Sequence, residues 1–335
     1  MNFTYRNPAR STDPSATLPG ARSLVVGCLS YAREPPAAPG PGASSVTASV
    51  ARYAWVDHYR TLRLALEKVA AALEDRGWRA RILIDDNALV DRAAAVRAGL
   101  GWYGKNCNVL VPGSGSWVVL GSVVTDALLA GGHRPIPVRD GCGACHRCID
   151  DCPTGALVAP GVLDARRCLS WLLQAPGVFP AEYRVALGDR IYGCDGCQEA
   201  CPVNRRAGRA GPAPPAEDAS QAGVDVVALL LSSDAEIVAR VGRWYIPDRD
   251  VGAVRRNALV VLGNVGEGGD PLVASALRGS LGHADPVVRA HAVWAAGRLG
   301  RRDLLEPILS DADPLVRTEL ESLDATPPAA GVRAG

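Results

Sequence analysis

The sequence predicts an α/β layer, a cysteine-rich segment of loops and short helices, and a stack of helical repeats, in that order. Three observations carry the prediction. Short apolar runs alternate with helical periods up to about residue 130, eight of the ten cysteines fall between Arg139 and Arg206, and related helical phrases recur beyond residue 250. The 335 residues, 48% of them hydrophobic, suffice for two or three domains with buried cores. A formal net charge of +1 gives no bulk electrostatic means of coating nucleic acid or holding a membrane surface. No run approaches the roughly 18 apolar residues of a membrane span, and residues 1–20 lack the basic start and apolar centre of a secretory signal. A cytoplasmic protein with no membrane partner is expected. Ten cysteines in that compartment point to metal rather than to disulfides.

Taken in order, residues 1–22 are polar and carry Pro8, Pro14 and Pro19, which predicts a disordered arm. Residues 23–135 form the α/β domain. Leu24–Ser30 reads as a strand, and the Pro/Gly/Ser-rich run from Pro35 to Ser45 as a loop. Leu62, Leu66, Val69, Ala70 and Leu73 give Asp57–Arg76 a helical period that Gly77 ends. Ala80–Ile84 is a second strand running into Asp85-Asp86-Asn87 and a helix to about Ala98, and Asn108–Val111 and Trp117–Thr125 are further strands. Residues 136–206 hold the cysteines, with too few apolar residues for a large core. Residues 207–223, rich in Ala, Gly and Pro, are expected to link them to a helical domain over 224–323, followed by a disordered tail, 324–335. In that domain Val254-Arg255-Arg256-Asn257-Ala258-Leu259 returns as Val288-Arg289-Ala290-His291-Ala292-Val293, and Asp285-Pro286-Val287-Val288-Arg289 as Asp313-Pro314-Leu315-Val316-Arg317. Such units resemble HEAT-type repeats, which stack to bury faces that none can bury alone.

Cys142, Cys145, Cys148 and Cys152-Pro153 follow the C-x₂-C-x₂-C-x₃-C-P run of two-cluster ferredoxins, whose fourth thiolate serves the other cluster. A second half reads Cys168, then Cys194, Cys197 and Cys201-Pro202, with its first ligand displaced upstream. Crossed pairing assigns Cys142, Cys145, Cys148 and Cys201 to one [4Fe–4S] cluster and Cys168, Cys194, Cys197 and Cys152 to the other. Zinc also uses paired C-x₂-C spacings, but it explains neither the two Cys-Pro endings nor the third close cysteine. Cys28, inside a Leu/Val strand, reads as a small buried hydrophobe; Cys107 stays unassigned. Spacing alone leaves Asp85 and Asp86 as helix or turn formers and the glycines near residue 100 as turn residues.

These pieces together resemble the epoxyqueuosine reductases, cobalamin-dependent iron–sulfur enzymes of queuosine tRNA modification. The resemblance covers about residues 22–205. It rests on the cysteines, Asp85, Ala98–Asn106, Gly115-Ser116-Trp117, Leu120-Gly121, Asp164–Cys168 and Ile191–Asp195. It implies an α/β cobalamin-binding domain, a ferredoxin-like two-[4Fe–4S] domain and C-terminal HEAT-like repeats, with reduction of epoxyqueuosine to queuosine as the activity. It places the proton donor on Asp85 and the corrinoid contacts on Asp85, Gly99, Leu100, Gly101, Trp102, Lys105, Asn106, Val109, Leu120, Arg166 and Asp195. An acid working near neutral pH needs a raised pKa, which burial and a neighbouring Asp86 would supply. The implied partners are tRNA, through its anticodon region, and a low-potential donor such as ferredoxin or flavodoxin.

The chain departs from the family pattern in two places. Asp85-Asp86-Asn87-Ala88 stands where the family has D-S/T-A-P, and Tyr53–Arg60 lacks a glycine and the usual order of Asp, Tyr and His. Residues 240–317 carry 11 Arg against 9 acidic residues. Arg255, Arg256, Arg289 and Arg317 recur at related repeat positions. Charge leaves two readings for them, a phosphate-binding patch or ion pairs with residues such as Asp285 and Asp313. Two rival functions share features with the main one: a corrinoid iron–sulfur reductase of a small molecule, dehalogenase-like, and a non-catalytic electron-transfer protein.

Overall fold

The computed structural model describes residues 7–33, 46–129, 137–210 and 221–325. Among them the strands are β1 (Ser23–Ser30), β2 (Thr47–Val50), β3 (Ala80–Leu83), β4 (Trp102–Tyr103), β5 (Val109–Leu110), β6 (Val118–Thr125), β7 (Leu157–Ala159), β8 (Val162–Leu163), β9 (Arg190–Tyr192) and β10 (Gly223–Asp225). Packing divides the chain into two units rather than along the linear boundaries that the sequence suggests. The first comprises Met1–Pro36, Arg52–Asp164 and Asp195–Ala219; the second comprises Ala37–Ala51, Ala165–Cys194 and Ser220–Gly335.

In the first unit the sheet order is β1-β6-β3, with β6 antiparallel to both neighbours. Because side chains alternate across a strand, β6 sends Val119 and Val123 to one face and Val124 to the other. Helix α2 (His58–Glu74) covers the first face with Leu62, Leu66, Ala70 and Leu73, joined by Tyr31 and Trp117. Its N-terminus is fixed by Asp57, whose Oδ1 accepts from the Arg60 N–H at 2.8 Å. His58 is buried and stacks on Tyr31, so in this chain the altered Tyr53–Arg60 segment serves the core. On the other face Leu83, Ala88, Leu89, Ala94 and Val124 pack with Leu18, Ala21, Leu24 and Val26.

That packing corrects the expected disordered arm. Residues 7–22 are folded: α1 (Pro8–Thr12) is capped by Asn7, a following turn by Asp13, and the buried Ser11 hydroxyl donates to the Asn87 carbonyl at 2.6 Å. Residues 1–6 lie outside the described residues. The expected linker is also shorter, since a helix spans Pro202–Ala210 and β10 starts at Gly223; residues 211–220 lie outside the described residues, as does the whole predicted loop at 35–45. At the C-terminus the helix Pro314–Ala325 overlaps the start of the predicted tail, and residues 326–335 lie outside the described residues.

The second unit holds a small sheet, β10-β2-β9, and the helical repeats. The recurring Asp-Pro phrase is a helix start. Asp270 and Asp285 cap Pro271–Leu281 and Pro286–Arg298, with proline in the first turn where its missing N–H is no loss. Asp313 does the same for the last helix, accepting from Leu315 N–H. The repeat arginines are mostly structural. Arg256, 1% exposed, donates to the carbonyls of Leu172, Leu173, Ala175 and Gly177. Arg255 pairs with Asp234 and Arg289 with Asp311, whereas Arg317 is exposed. Contacts within the unit therefore account for three of the four arginines: Arg255 and Arg289 pair with acids other than Asp285 and Asp313, and Arg256 meets backbone carbonyls.

Candidate active site

β3 ends at Leu83, and two residues later Asp85 takes φ +50°, the left-handed region that a non-glycine residue enters only where its surroundings hold it there. Solvent still reaches the Asp85 side chain, yet enough protein crowds its carboxyl to raise the pKa, with the charge of Asp86 adding to the effect. Those are the two causes expected of an acid at this position. Asp86 itself makes the turn, its Oδ1 accepting from Ala88 N–H at 2.8 Å. That bond fixes locally the turn that the family's proline would stiffen.

Helix α3 (Asp91–Arg97) follows and brings a residue that sequence reading missed. Burial, then the charges of Asp85 and Asp86, push the Asp91 carboxyl up to about 7 against a weaker pull from Arg92. Its Oδ1 is buried with no hydrogen-bond partner among the described residues. An acid in a helix's first turn is ordinary, so nothing in the sequence marks this one as facing two more. Arg92 reaches from α3 to the Cys107 carbonyl and ties the helix to the glycine-rich loop.

That loop runs from Gly99 to Asn108 after α3 and contains β4, which forms a hairpin with β5, where Trp102 pairs with Leu110 and Tyr103 with Val109. Gly104 N–H donates to Asn108 O and Cys107 N–H to Gly104 O, a tight turn that puts Cys107 at φ +63°. Gly101, Trp102, Asn106 and Val109 are buried, while Gly99, Leu100 and Lys105 are half-buried. Lys105 Nζ donates to Gly143 O at 2.7 Å, and Trp102 Nε1 donates to Cys142 Sγ at 3.4 Å. Leu120, half-buried, stands opposite Cys28 in the β1–β6 register; Cys28 is thus half-buried rather than a core residue. Asp195 is placed differently. It is buried, with Oδ2 accepting from Arg52 N–H and Oδ1 from Gln198 Nε2, and burial raises it to about 6. Arg166 lies on a short turn of the second unit, exposed.

Among the cysteines, burial first and then the neighbouring sulfurs of Cys201, Cys142 and Cys145 push the Cys148 thiol up to about 11. Cys148 therefore lies within electrostatic reach of the other three thiols of the first predicted set. Their mutual repulsion as thiolates is what a cationic iron–sulfur core relieves. Cys152 and Cys197 of the second set pack with Ile149 against the buried group Cys107, Cys148 and Leu157. Cys168 and Cys194 belong to the second unit.

Residues 141–204 match the model of a 4Fe-4S double cluster binding domain, residues 246–324 that of HEAT repeats, and residues 11–86 that described as Epoxyqueuosine reductase QueG, DUF1730. The chain is 34% identical over 298 residues to an epoxyqueuosine reductase of Bacillus cereus, covering 87% of this chain and 76% of the relative. A solved epoxyqueuosine reductase holding an epoxyqueuosine-modified tRNA-Tyr stem loop superposes with a TM-score of 0.84 at 32% identity, over 96% of this chain and 86% of that one. A Bacillus subtilis epoxyqueuosine reductase, solved with its catalytic aspartate loop swung out of the active site, gives a TM-score of 0.83 at 31% identity over the same shares. Identity of this extent over most of both chains, joined to a shared fold, means that the chain belongs to the epoxyqueuosine reductase family of oxidoreductases.

Proposed function

We propose that this chain reduces epoxyqueuosine in tRNA to queuosine, using two [4Fe–4S] clusters and a cobalamin, with Asp85 as the acid. One observation carries the reading. Asp85 is a carboxyl just past a strand end, held in a left-handed backbone, raised in pKa by crowding and by Asp86 and still open to solvent, which suits a proton donor. The relative solved with an epoxyqueuosine-modified tRNA stem loop supports the substrate, and the relative solved with its aspartate catalytic loop swung out of the active site supports an aspartate in the reaction.

Turning an epoxide into an alkene consumes two electrons and two protons and releases the oxygen as water. Both C–O bonds break, so the oxygen leaving carbon needs a proton as charge develops on it, and Asp85 holds one in place. Asp91, raised to about 7, stays partly protonated beside it and keeps negative charge from accumulating there. Cys142, Cys145, Cys148 and Cys201 would hold one cluster and Cys152, Cys168, Cys194 and Cys197 the other, both sets resting on the sequence pattern. When bound, the clusters would supply a route for electrons from a low-potential donor of the ferredoxin or flavodoxin class.

The α3 side of the first unit fits a corrinoid. Asp91 Oδ1, Asn106 Nδ2 and Ser122 Oγ are buried polar atoms without hydrogen-bond partners among the described residues, and half-buried Leu120 offers apolar surface. A macrocycle fringed with carboxamides supplies donors and acceptors to such atoms. When bound, it supplies a strongly reducing centre for the epoxide carbon. Gly99, Leu100, Gly101, Trp102, Lys105, Asn106 and Val109 shape the wall from the glycine-rich loop. Asp195, in the first unit, belongs to the same proposed set, and Arg166, in the second unit, is included on the family resemblance alone. Asp195 acts there through position, since both its oxygens already accept from protein donors.

The test is anaerobic turnover of tRNA carrying epoxyqueuosine, with clusters and cobalamin loaded and a strong reductant present, followed by nucleoside mass analysis. Loss of one oxygen that depends on cobalamin is expected. No product from enzyme that holds both clusters and corrinoid would favour a small-molecule substrate; failure to bind corrinoid would favour simple electron transfer.

A further inference from the structure

We propose that the indole N–H of Trp102 tunes the reduction potential of the cluster bound through Cys142, making Trp102 a positioning and tuning residue for that cluster rather than only a wall of the cofactor site. The inference rests on the cluster reading above. Trp102 Nε1 lies 3.4 Å from Cys142 Sγ with the N–H directed at the sulfur, and the residue is 9% exposed, so water does not compete for the donor. The ring is fixed from two sides. On one, its backbone pairs with Leu110 in the β4–β5 hairpin. On the other, it lies against the backbone of Gly141, where an added Cβ would stand 2.8 Å from Trp102 Cζ2. Only glycine lets the ring come this close to the cluster segment. Lys105 adds a third tie, from Nζ to the Gly143 carbonyl at 2.7 Å. Two residues of one loop thus grip the segment Gly141–Gly143 around the first ligand.

The sign follows from charge. Reduction adds one electron to the cluster, and its negative charge spreads onto the thiolate sulfurs. A buried N–H aimed at one of those sulfurs stabilises the reduced state more than the oxidised state and raises the potential. Backbone amides near the sulfurs act alike, but Trp102 is a side chain and can be exchanged without rebuilding the loop. Trp102→Phe keeps an aromatic ring against Gly141 and removes the donor.

The experiment is an EPR-monitored redox titration of the loaded enzyme and its Trp102→Phe variant. The cluster bound through Cys142 is expected to shift to a lower midpoint potential, on the order of tenfold in its one-electron equilibrium or about 59 mV, while the other cluster holds its value. Equal shifts in both clusters, or none, would overturn the proposal. A second measurement needs no variant: wild-type enzyme labelled with indole-¹⁵N tryptophan should show a nitrogen coupling on one reduced cluster in pulsed EPR. Normal cluster signals without that coupling defeat the role of Trp102 alone. Loss of all cluster signals in correctly loaded wild-type enzyme would instead defeat the cluster reading itself.

Discussion

A carboxyl keeps its proton better where ionising costs it, and at the proposed acid Asp85 that cost has two local sources, a crowded position and the charge of Asp86. Asp85→Asn keeps the size and removes the proton. Turnover is expected to fall by roughly 10²- to 10⁴-fold with both cluster EPR signals unchanged. Asp91 leads to a prediction about stability. Its folded pKa of about 7 lies above its unfolded value, so between about pH 4 and 7 the folded chain keeps a proton that the unfolded chain releases. Stability therefore falls as pH rises through that window and levels off above it. Asp91→Asn cannot ionise and should flatten the fall, seen as a smaller change in the denaturant midpoint between pH 5 and pH 8. Asp85 was legible as a strand-end acid followed by the glycine-rich motif. Asp91 was not, because an acid in a helix's first turn is ordinary and residue types do not announce its burial or its nearness to Asp85 and Asp86.

At the scale of elements, the loop from Gly99 to Asn108 is closely constrained by contact. A Cβ on Gly101 would overlap the Leu110 carbonyl oxygen across the β4–β5 hairpin. Gly101→Ala should lower stability by about 1–3 kcal/mol, measured as a reduced melting temperature, and loosen the Trp102 side chain with it. Regular elements were readable because burial imposes a period. The spacing of Leu62, Leu66, Ala70 and Leu73 is that of a helix face, and Val119, Val123 and Val124 mark the two faces of a central strand. The segment 7–22 escaped because its order comes from two caps and from Leu18 and Ala21 meeting a distant strand. Polar composition with three prolines looks the same whether or not such a partner exists. The repeated Asp-Pro phrase was visible but unexplained until Asp270 and Asp285 appeared as helix caps.

For the whole molecule, charge counting could not decide what the repeat arginines do, since the same residues serve a phosphate surface or an interior. Arg256 serves the interior: its guanidinium meets four carbonyls, and burial lowers its pKa to about 10. Arg256→Met should destabilise the enzyme by on the order of 3 kcal/mol, because those carbonyls lose their partner. Arg317→Ala, at an exposed position, should change stability by no more than about 0.5 kcal/mol. Affinity for modified tRNA should fall as salt rises, with a slope that Arg256→Met leaves unaltered in fluorescence anisotropy.

The division of the chain into units carries a consequence for how the enzyme is made. Asp195–Ala219 belongs with the first unit, although Ala165–Cys194, translated before it, belongs with the second. A ribosome that has released Cys148 has therefore delivered three sulfurs of the first proposed set but not Cys201, and the nascent chain waits through a stretch destined for the other unit. The proposed set is accordingly completed late in synthesis, and chains halted before residue 201 should leave the thiols of Cys142, Cys145 and Cys148 without their fourth partner and more open to oxidants, measured as faster alkylation or oxidation of those three.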